Sequence, residues 1–500
     1  MNKVLLFNPR SGVFNHRIPN SILQIAASVN GMHEWAIVDG NCEDDPFEKI
    51  SSYLQTGEYR YVGITVMPGP QTKQAIPVSK KIKAAFPATI IIWGGYFATN
   101  HPKIILESGY VDFIINGPGD HAFPQLLDAI ENNKPFELIK NLVYLTHNGM
   151  VKNPKAEIPD QESLPQLPYD QLNSFYRIDK NYLGKTYLGK KTMAYHSSIG
   201  CPFTCSFCAV VPIYGGRWKA KSAESVYRDV KYIKDKWGAD AIEFHDNNFF
   251  VSEKRTVEFA KLILPEKMSW WGMARIDTMD KFSDESLALI RAAGCRIIFF
   301  GAESGNDAVL KQLDKGGTQH GAQIIRFAER LKKFDIIPEY SFVLGTPAPT
   351  PEEVMAQIEF DIRFIKKVKA VNPRTEIILY TYSPVATEGS DLFNAVKEAG
   401  FHFPEKLEDW VSPQWERFDM RKNPLTPWLK AEHIDRIRNF ETVLNGYFPT
   451  VADIRLNQLK RKMIRLMSGL RYRTGFYRFP YEIKLMHRLW KYRLPETEGF

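Results

Sequence analysis

Five hundred residues exceed what a single hydrophobic core usually holds and call for two or three domains. A composition 44% hydrophobic and 24% charged is that of a globular protein, and no apolar run of about 18 residues is present that could span a bilayer. The net charge of +8 is uneven: residues 455–493 hold twelve Lys or Arg against one acid, Glu482, a local charge of +11 that leaves the rest of the chain near −3.

The chain opens MNKVLLFNPRSG, with a lone Lys and a five-residue apolar run. That run is too short for the core of a signal peptide and reads as a first strand. Five cysteines without a leader argue against a disulfide framework and for a reducing cytoplasm. Up to residue 150, the runs KVLLFN (3–8), EWAIVDG (34–40), YVGITV (61–66), TIIIWGG (89–95) and VDFIING (111–117) alternate with amphipathic stretches such as NSILQIAASVN. Near-continuous β-branched strands separated by helices predict a parallel sheet covered on both faces, a doubly wound domain over 1–150. Such domains bind ligands at the carboxyl ends of their strands. Glycines stand there, among them Gly94, Gly95 and Gly117. They either let a bulky ligand approach the backbone or only make tight turns.

Residues 151–190, with LPQLPYD, have little periodicity and read as a linker. A second alternation follows over 191–405. Its expected strands are TMAYHSSIG (192–200), AIEFHD (241–246), SWWGMAR (269–275), CRIIFFG (295–301), PEYSFVLG (338–345) and EIILYTY (376–382). Six β/α units suit an open, partial barrel, with its chemistry at the C-terminal strand ends. Residues 406–500 leave this pattern and read as a basic, mainly helical region.

After the first strand of the second set comes CPFTCSFC, with Cys201, Cys205 and Cys208 spaced C-x3-C-x2-C. Three thiols on one loop suit a soft metal centre. Structural zinc would want a fourth ligand, and the nearest imidazole, His196, lies in the expected strand. An iron–sulfur cluster held by three cysteines keeps one iron open. The motif resembles the signature of the radical S-adenosylmethionine (SAM) superfamily, C-x3-C-x-aromatic-C, with Phe207 as the aromatic residue. The resemblance implies a [4Fe–4S] cluster on the three cysteines, SAM on its open iron, and a SAM-derived radical that abstracts hydrogen. EFHDNNFF (243–250), ARID (274–277), FGAESGND (300–307) and VLGTPAPTPEE (343–353) resemble later barrel segments of the superfamily. They imply SAM contacts from Phe207, Asp246, Arg275 and Glu303, although Arg275 and Asp246 could also pair with each other at the rim. The family's GGE motif is absent as such.

The first domain resembles the cobalamin-binding module that precedes the barrel in one large radical SAM group, through RIPNSILQIAASV (17–29), VGITVM (62–67), GGYFAT (94–99) and VDFIINGPGDHAF (111–123). The ordered set, taken with the barrel, covers about residues 1–400. It implies cobalamin at Asn8, Thr65, Gly94, Gly95 and Gly117. Two departures stand out: Asp120 replaces the usual final acid of a GEGE-like motif, and no Asp-x-His-x-x-Gly motif supplies an axial imidazole. The loop after the first strand reads NPRSG, with Arg10 where such a His could lie. Cobalamin would then have no histidine on its lower face. Cys42, just after the second strand, reads as structural or exposed, and Cys295, which opens an apolar strand, as buried core.

The resemblance implies a cobalamin-dependent radical SAM enzyme. The leading expectation is a C-methyltransferase acting on an unactivated carbon of a hydrophobic or natural-product substrate, lipid-like or tetrapyrrole, with a reductant such as flavodoxin or ferredoxin. The rivals are an oxidative cyclase of the tetrapyrrole type and a non-catalytic cofactor-binding sensor. For the basic tail, a helical cap over the barrel competes with a peripheral membrane contact by an amphipathic helix, which would add a membrane-associated pool to a cytoplasmic enzyme. Nucleic acid is not expected, because no recognised nucleic-acid module accompanies the charge.

Overall fold

The computed structural model describes residues 2–12, 17–315, 318–388, 390–415, 426–451, 453 and 456–491. Arg455, Tyr492 and Arg493 of the basic stretch lie outside them. The first sheet runs β1 (Lys3–Asn8), β2 (Trp35–Asp39), β3 (Tyr59–Thr65), β4 (Ile90–Gly94) and β5 (Phe113–Ile115) in the order β2-β1-β3-β4-β5, all parallel. Successive residues of β1 bury on opposite faces: Val4 and Leu6 join a core that continues into the second sheet, and Leu5 and Phe7 join a separate one. Burial on both faces is why the strand reads as an unbroken apolar run.

Two further strands, β6 (Leu142–Thr146) and β7 (Gly149–Lys152), extend the sheet as an antiparallel hairpin on β5. The five-strand reading did not include them. The dipeptide Asn148–Gly149 at their turn is the local signal for that hairpin.

The second sheet is the open six-strand wall expected of a partial barrel. After β8 (Thr192–Tyr195) come a short ribbon of β9 (Ser198–Gly200) and β10 (Trp218–Ala220), then β11 (Ala241–Phe244), β12 (Ser269–Ala274), β13 (Ile297–Glu303), β14 (Ile337–Leu344) and β15 (Glu376–Thr381). β8-β11-β12-β13-β14-β15 lie side by side and parallel. Four of the outer helices start on side-chain caps, Ser222, Ser252, Ser283 and Thr350, each accepting a backbone N–H of the first turn. The expected strand 192–200 is therefore two strands, broken at His196–Ser197.

Beyond the barrel the chain is helical: Asp391–Glu398, Ala431–Tyr447, Gln458–Thr474 and Tyr481–Trp490. Among the described residues no helix is long and apolar enough to cross a membrane. One short turn, Leu407–Val411, reaches back to the first domain. Trp410, 2% exposed, lies 5.0 Å from the Phe97 ring and 4.7 Å from His101, and Lys80 pairs with Glu408 at 3.0 Å. Burial pulls the His101 pKa down to about 3, so the ring is a neutral packing surface. Trp410→Ala should cost about 3–5 kcal/mol. The expected result is a lower urea midpoint for the first domain, and an unshifted midpoint would show that the clasp carries no load.

Candidate active site

The ribbon β9–β10 pinches the cysteine loop at its base, with Gly200 opposite Trp218, Ile199 opposite Lys219 and Ser198 opposite Ala220. Gly200 has φ +81°, and a Cβ there would stand 2.2 Å from the Arg217 carbonyl oxygen, so only glycine fits beside Cys201. The break before the ribbon is made by Asp246, at the end of β11. Both its oxygens accept from the Ser197 N–H at 3.1 Å, Oδ1 also accepts from Ser197 Oγ at 2.9 Å and from the Ser198 hydroxyl, and the residue is 0% exposed. Arg255 donates to Ser197 Oγ at 2.6 Å. Asp246, expected on SAM, is instead buried and bonded to the protein, so it shapes the loop. Its expected alternative partner, Arg275, is bonded elsewhere.

Arg275 stands at the end of β12 among the thiols. Its Nη1 donates to Cys205 Sγ at 3.1 Å, Nε and Nη2 donate to Asp277 at 2.9 and 2.7 Å, and Nη2 also donates to the Lys315 carbonyl at 2.7 Å. The guanidinium lies 3.9 Å from the Phe203 ring centroid. Glu303 accepts from Lys315 Nζ at 3.2 Å, both side chains being buried, and the same ammonium lies 5.9 Å from the Phe207 centroid. Glu303 itself has φ +63°, where the register between β13 and β14 shifts. Phe207, Arg275 and Glu303 are thus gathered round the cysteines. Lys315 and Asp277, which link them, escaped the motif reading. Asp277 was visible as the acid two residues after Arg275, whereas Lys315 had no sequence signal.

Cys205 is buried, Cys201 and Cys208 are half-buried, and none of the five cysteines is in a disulfide. Among the described residues no three His, Cys, Asp or Glu side chains stand close enough to share one metal ion. A cluster spreads its ligands over several irons, so three thiols of one loop flanked by Arg275 and Lys315 fit it better than a single ion. Burial, opposed by an N–H bond from Phe203, raises the Cys201 pKa. A cavity of about 890 Å³ opens beside the loop, lined by Thr204, Ser206, Val211, Lys311, Gln312 and Asp314 among others. A second cavity, about 520 Å³, lies against the starts of β14 and β15 and touches no expected site residue.

The strand ends of the first domain face this loop. Tyr96, just after Gly94 and Gly95, donates to Asn247 Oδ1 at 2.8 Å. Burial, then Tyr214, with Cys208 and Cys201 also acting on it, holds its phenol well above the usual range. Lys155 joins both sides, donating to Asn116 Oδ1 at 2.6 Å at the end of β5 and to the Ile213 carbonyl at 3.3 Å after the cysteines. Gly95 has φ +93°, and a Cβ there would sit 2.7 Å from the Val66 carbonyl oxygen. A Cβ at Gly94 would meet the Ile115 carbonyl oxygen at 3.9 Å, an ordinary contact, Gly117 has φ +128°, and the buried Asn116 Nδ2 has no partner. Thr65, Gly94, Gly95 and Gly117 thus stand at the ends of the neighbouring strands β3, β4 and β5, where glycine backbone and the unpartnered Asn116 amide would suit a bulky polar ligand such as cobalamin. Asn8 does not join them: its amide donates to Asp39 at 3.0 Å and accepts from Gln71 at 3.3 Å. Arg10 is turned to the Gly40 and Glu43 carbonyls, 2.8 Å from each.

A third group lines the barrel interior. Arg17 reaches Glu243 at 3.4 Å, Glu243 accepts from His245 Nε2 at 3.1 Å, and Asn20 donates to the Ala194 carbonyl at 3.1 Å and meets His196 Nδ1 at 3.3 Å. Despite burial, the His245 hydrogen bond and Arg17 pull the Glu243 pKa to about 2. Burial, with His245 next, pulls His196 to about 4 although its ring is exposed, as expected of a residue facing an internal opening. Burial and then Glu376 push Glu339 up to about 8, and Trp271 Nε1 donates to it at 3.3 Å.

The model of the radical SAM superfamily matches residues 195–361, and that of the B12 binding domain matches residues 15–127. The chain belongs to the cobalamin-binding radical SAM enzymes. Its cofactors are a [4Fe–4S] cluster, SAM and cobalamin. Among relatives of this cobalamin-binding radical SAM enzyme is an uncharacterised methyltransferase of Pyrococcus horikoshii, 29% identical over 348 residues, 68% of this chain and 72% of the relative. Another is the anaerobic magnesium-protoporphyrin IX monomethyl ester cyclase of Rubrivivax gelatinosus, 24% identical over 442 residues, 83% of this chain and 70% of that one. The fold is shared with the cobalamin-dependent S-adenosylmethionine radical enzyme OxsB (TM-score 0.71, 14% identity, 95% of this chain and 71% of that one). It is also shared with the radical S-adenosylmethionine methyltransferase TsrM of Kitasatospora setae (TM-score 0.64, 16% identity, 98% and 99%).

Arg275→Ala leaves Asp277 buried without its cation and should cost about 3–5 kcal/mol. Asp277 is pushed up by burial but pulled further down by Arg275, so its folded pKa is below the ordinary carboxylate value. The pair therefore stabilises fully at neutral pH and fades as the medium is acidified from about pH 4 downward. Urea midpoints measured across this range should fall for the native chain, and that part of the fall should be missing in Arg275→Ala.

Proposed function

We propose that this enzyme is a C-methyltransferase acting on an unactivated carbon of a hydrophobic or natural-product small molecule in the cytoplasm, with flavodoxin or ferredoxin as reductant. The observation that carries the reading is the seam at Tyr96, Lys155 and Arg17. It turns the strand ends of the B12-binding domain toward the cysteine loop, so that ligands of both domains would share one space. The Pyrococcus relative is named a methyltransferase, as is the cytidylyl-2-hydroxyethylphosphonate methyltransferase of Streptomyces wedmorensis, 22% identical over 387 residues.

In this reading Cys201, Cys205 and Cys208 hold the cluster, Phe207 and Glu303 border SAM, and Thr65, Gly94, Gly95 and Gly117 carry cobalamin. When bound, the cluster and SAM supply a carbon-centred radical and cobalamin supplies the methyl group. The protein's part is positional. Arg275 fixes Cys205 and Phe203, Lys315 ties Glu303 to the same corner, and Tyr96 ties the first domain's strand end to Asn247. The interior of Arg17, His196, Glu243, His245 and Trp271 receives the substrate. Its neutral imidazoles accept or donate hydrogen bonds without adding charge.

Cyclase relatives keep ring closure as the second reading. Product mass decides between them: extracts incubated with the anaerobically reconstituted enzyme should gain one methylene unit, and gain of oxygen with ring closure would replace methyl transfer by cyclisation. Alanine at Cys201, Cys205 or Cys208 should remove iron and abolish 5′-deoxyadenosine formation while the cobalamin spectrum persists. Full iron content in any of the three would sink the cluster assignment. The purified enzyme should bind one cobalamin, and the cob(II)alamin spectrum should lack histidine-type nitrogen coupling, since Arg10, where an axial His could lie, faces the Gly40 and Glu43 carbonyls.

A further inference from the structure

The helices Gln458–Thr474 and Tyr481–Trp490 form a hairpin on the flank of the barrel. The first buries Ile464, Ser468, Gly469 and Tyr472 against the helix Ala431–Tyr447, where Tyr447 stacks on Tyr472 at 4.9 Å. Its opposite face is apolar and bare. Leu459, Met463, Leu466 and Leu470, spaced four, three and four residues apart, form one stripe along it, and Leu466 is 81% exposed. Tyr481, Leu485 and Leu489 repeat the pattern on the second helix, and Phe476 and Phe479 stand exposed in the turn between them. Nine large apolar side chains exposed on one two-helix element exceed the scattered exposure normal for a protein surface.

Charge accompanies the stripe. Lys462, Arg465, Arg473, Arg478, Lys484 and Arg488 are exposed on the same hairpin. Its one acid, Glu482, is occupied by Arg471, which also donates to the Arg478 carbonyl at 2.7 Å and the Phe479 carbonyl at 3.2 Å. That hook fixes the turn, so the apolar side chains are presented by a formed element. Arg461 is likewise internal, donating to the Asp453 carbonyl at 2.9 Å. The basic side chains therefore do not act mainly as stems laid over barrel surface, because the apolar residues beside them are uncovered.

We propose that this hairpin is an interfacial membrane anchor that inserts its apolar stripe among the acyl chains of an anionic bilayer while the flanking Lys and Arg engage headgroup phosphates. Apolar side chains on one face, cations beside them and no free acid match a negatively charged interface in both respects. Uncharged lipid would satisfy only the stripe, and an acidic polymer only the cations. The inference is independent of which reaction the active site performs.

The test is sedimentation of the full-length protein with vesicles of phosphatidylcholine alone or mixed with phosphatidylglycerol, at low and high salt. Binding is expected on the anionic vesicles, weakened but not abolished by salt, because salt screens the cations and leaves the stripe unaffected. Leu466→Gln with Leu470→Gln should lower the partition coefficient at least tenfold at either salt, and Lys462→Glu with Arg473→Glu should lower it at low salt. Far-ultraviolet circular dichroism of both variants should match the parent, the changed residues being exposed. Recovery in the supernatant with every vesicle would overturn the proposal. So would a dimer in vesicle-free solution that the leucine variant abolishes, which would give the stripe to a second copy. RNA binding lost in the charge variant but indifferent to the leucines, without vesicle binding, would also overturn it.

Discussion

The active site depends on one buried carboxylate. Asp246 closes the end of β11 and captures the N–H and hydroxyl of Ser197 and the hydroxyl of Ser198. A carboxylate removed from water is tolerable only with such partners, and here the partners are the two serines that follow the neighbouring strand β8. The consequence is geometric. β8 stops at Tyr195, the chain turns, and the ribbon of β9 and β10 starts with its closed end at Gly200. Without that stop, the run Thr192–Gly200 could continue as one strand and carry Cys201 past the rim, away from Arg275.

Around this fixed point two sheets bring the same kind of edge together. Parallel α/β sheets offer ligands their carboxyl ends, and the chain aims both sets at one gap. Beside the apolar core that the two sheets share, polar contacts cross it: Tyr96 to Asn247, Lys155 to Asn116 and Ile213, Asn20 to the Ala194 carbonyl, and Arg17 to Glu243. The neutral histidines, the ionised Glu243 and the high-pKa Glu339 stand on the barrel side of these contacts.

Much of this was legible in the sequence. The eleven β/α strands were marked by their apolar, largely β-branched runs, because strands buried on two faces keep few polar residues to blur the signal. The cysteine triad and the grouping of Phe207, Arg275 and Glu303 followed motif order. What escaped depended on distance along the chain. Lys315 meets Glu303 twelve residues away through a loop without periodicity, and Arg17 meets Glu243 across 226 positions. Asp246 and Asn8 sit at the expected strand ends, but their side chains turn to protein partners, a choice set by neighbours on other strands. The hairpin β6–β7 was carried by a two-residue turn signal inside what read as domain edge.

The return of Leu407–Val411 to the first domain gives the molecule an order in space that differs from its order along the chain. Leu407 and Trp410 complete a core whose other fully buried members run from residue 5 to residue 143, so the sheet that opens the sequence is finished by a segment translated after the whole barrel. Boundaries drawn between modules are therefore crossed by a shared core. For the history of such enzymes this restricts recombination. A B12-binding half taken from one lineage and a radical SAM half from another must agree not only at the facing strand ends but also at the aromatic socket that Phe97 and His101 form for Trp410. The two halves are inherited best as a single unit, even though each has a complete sheet of its own.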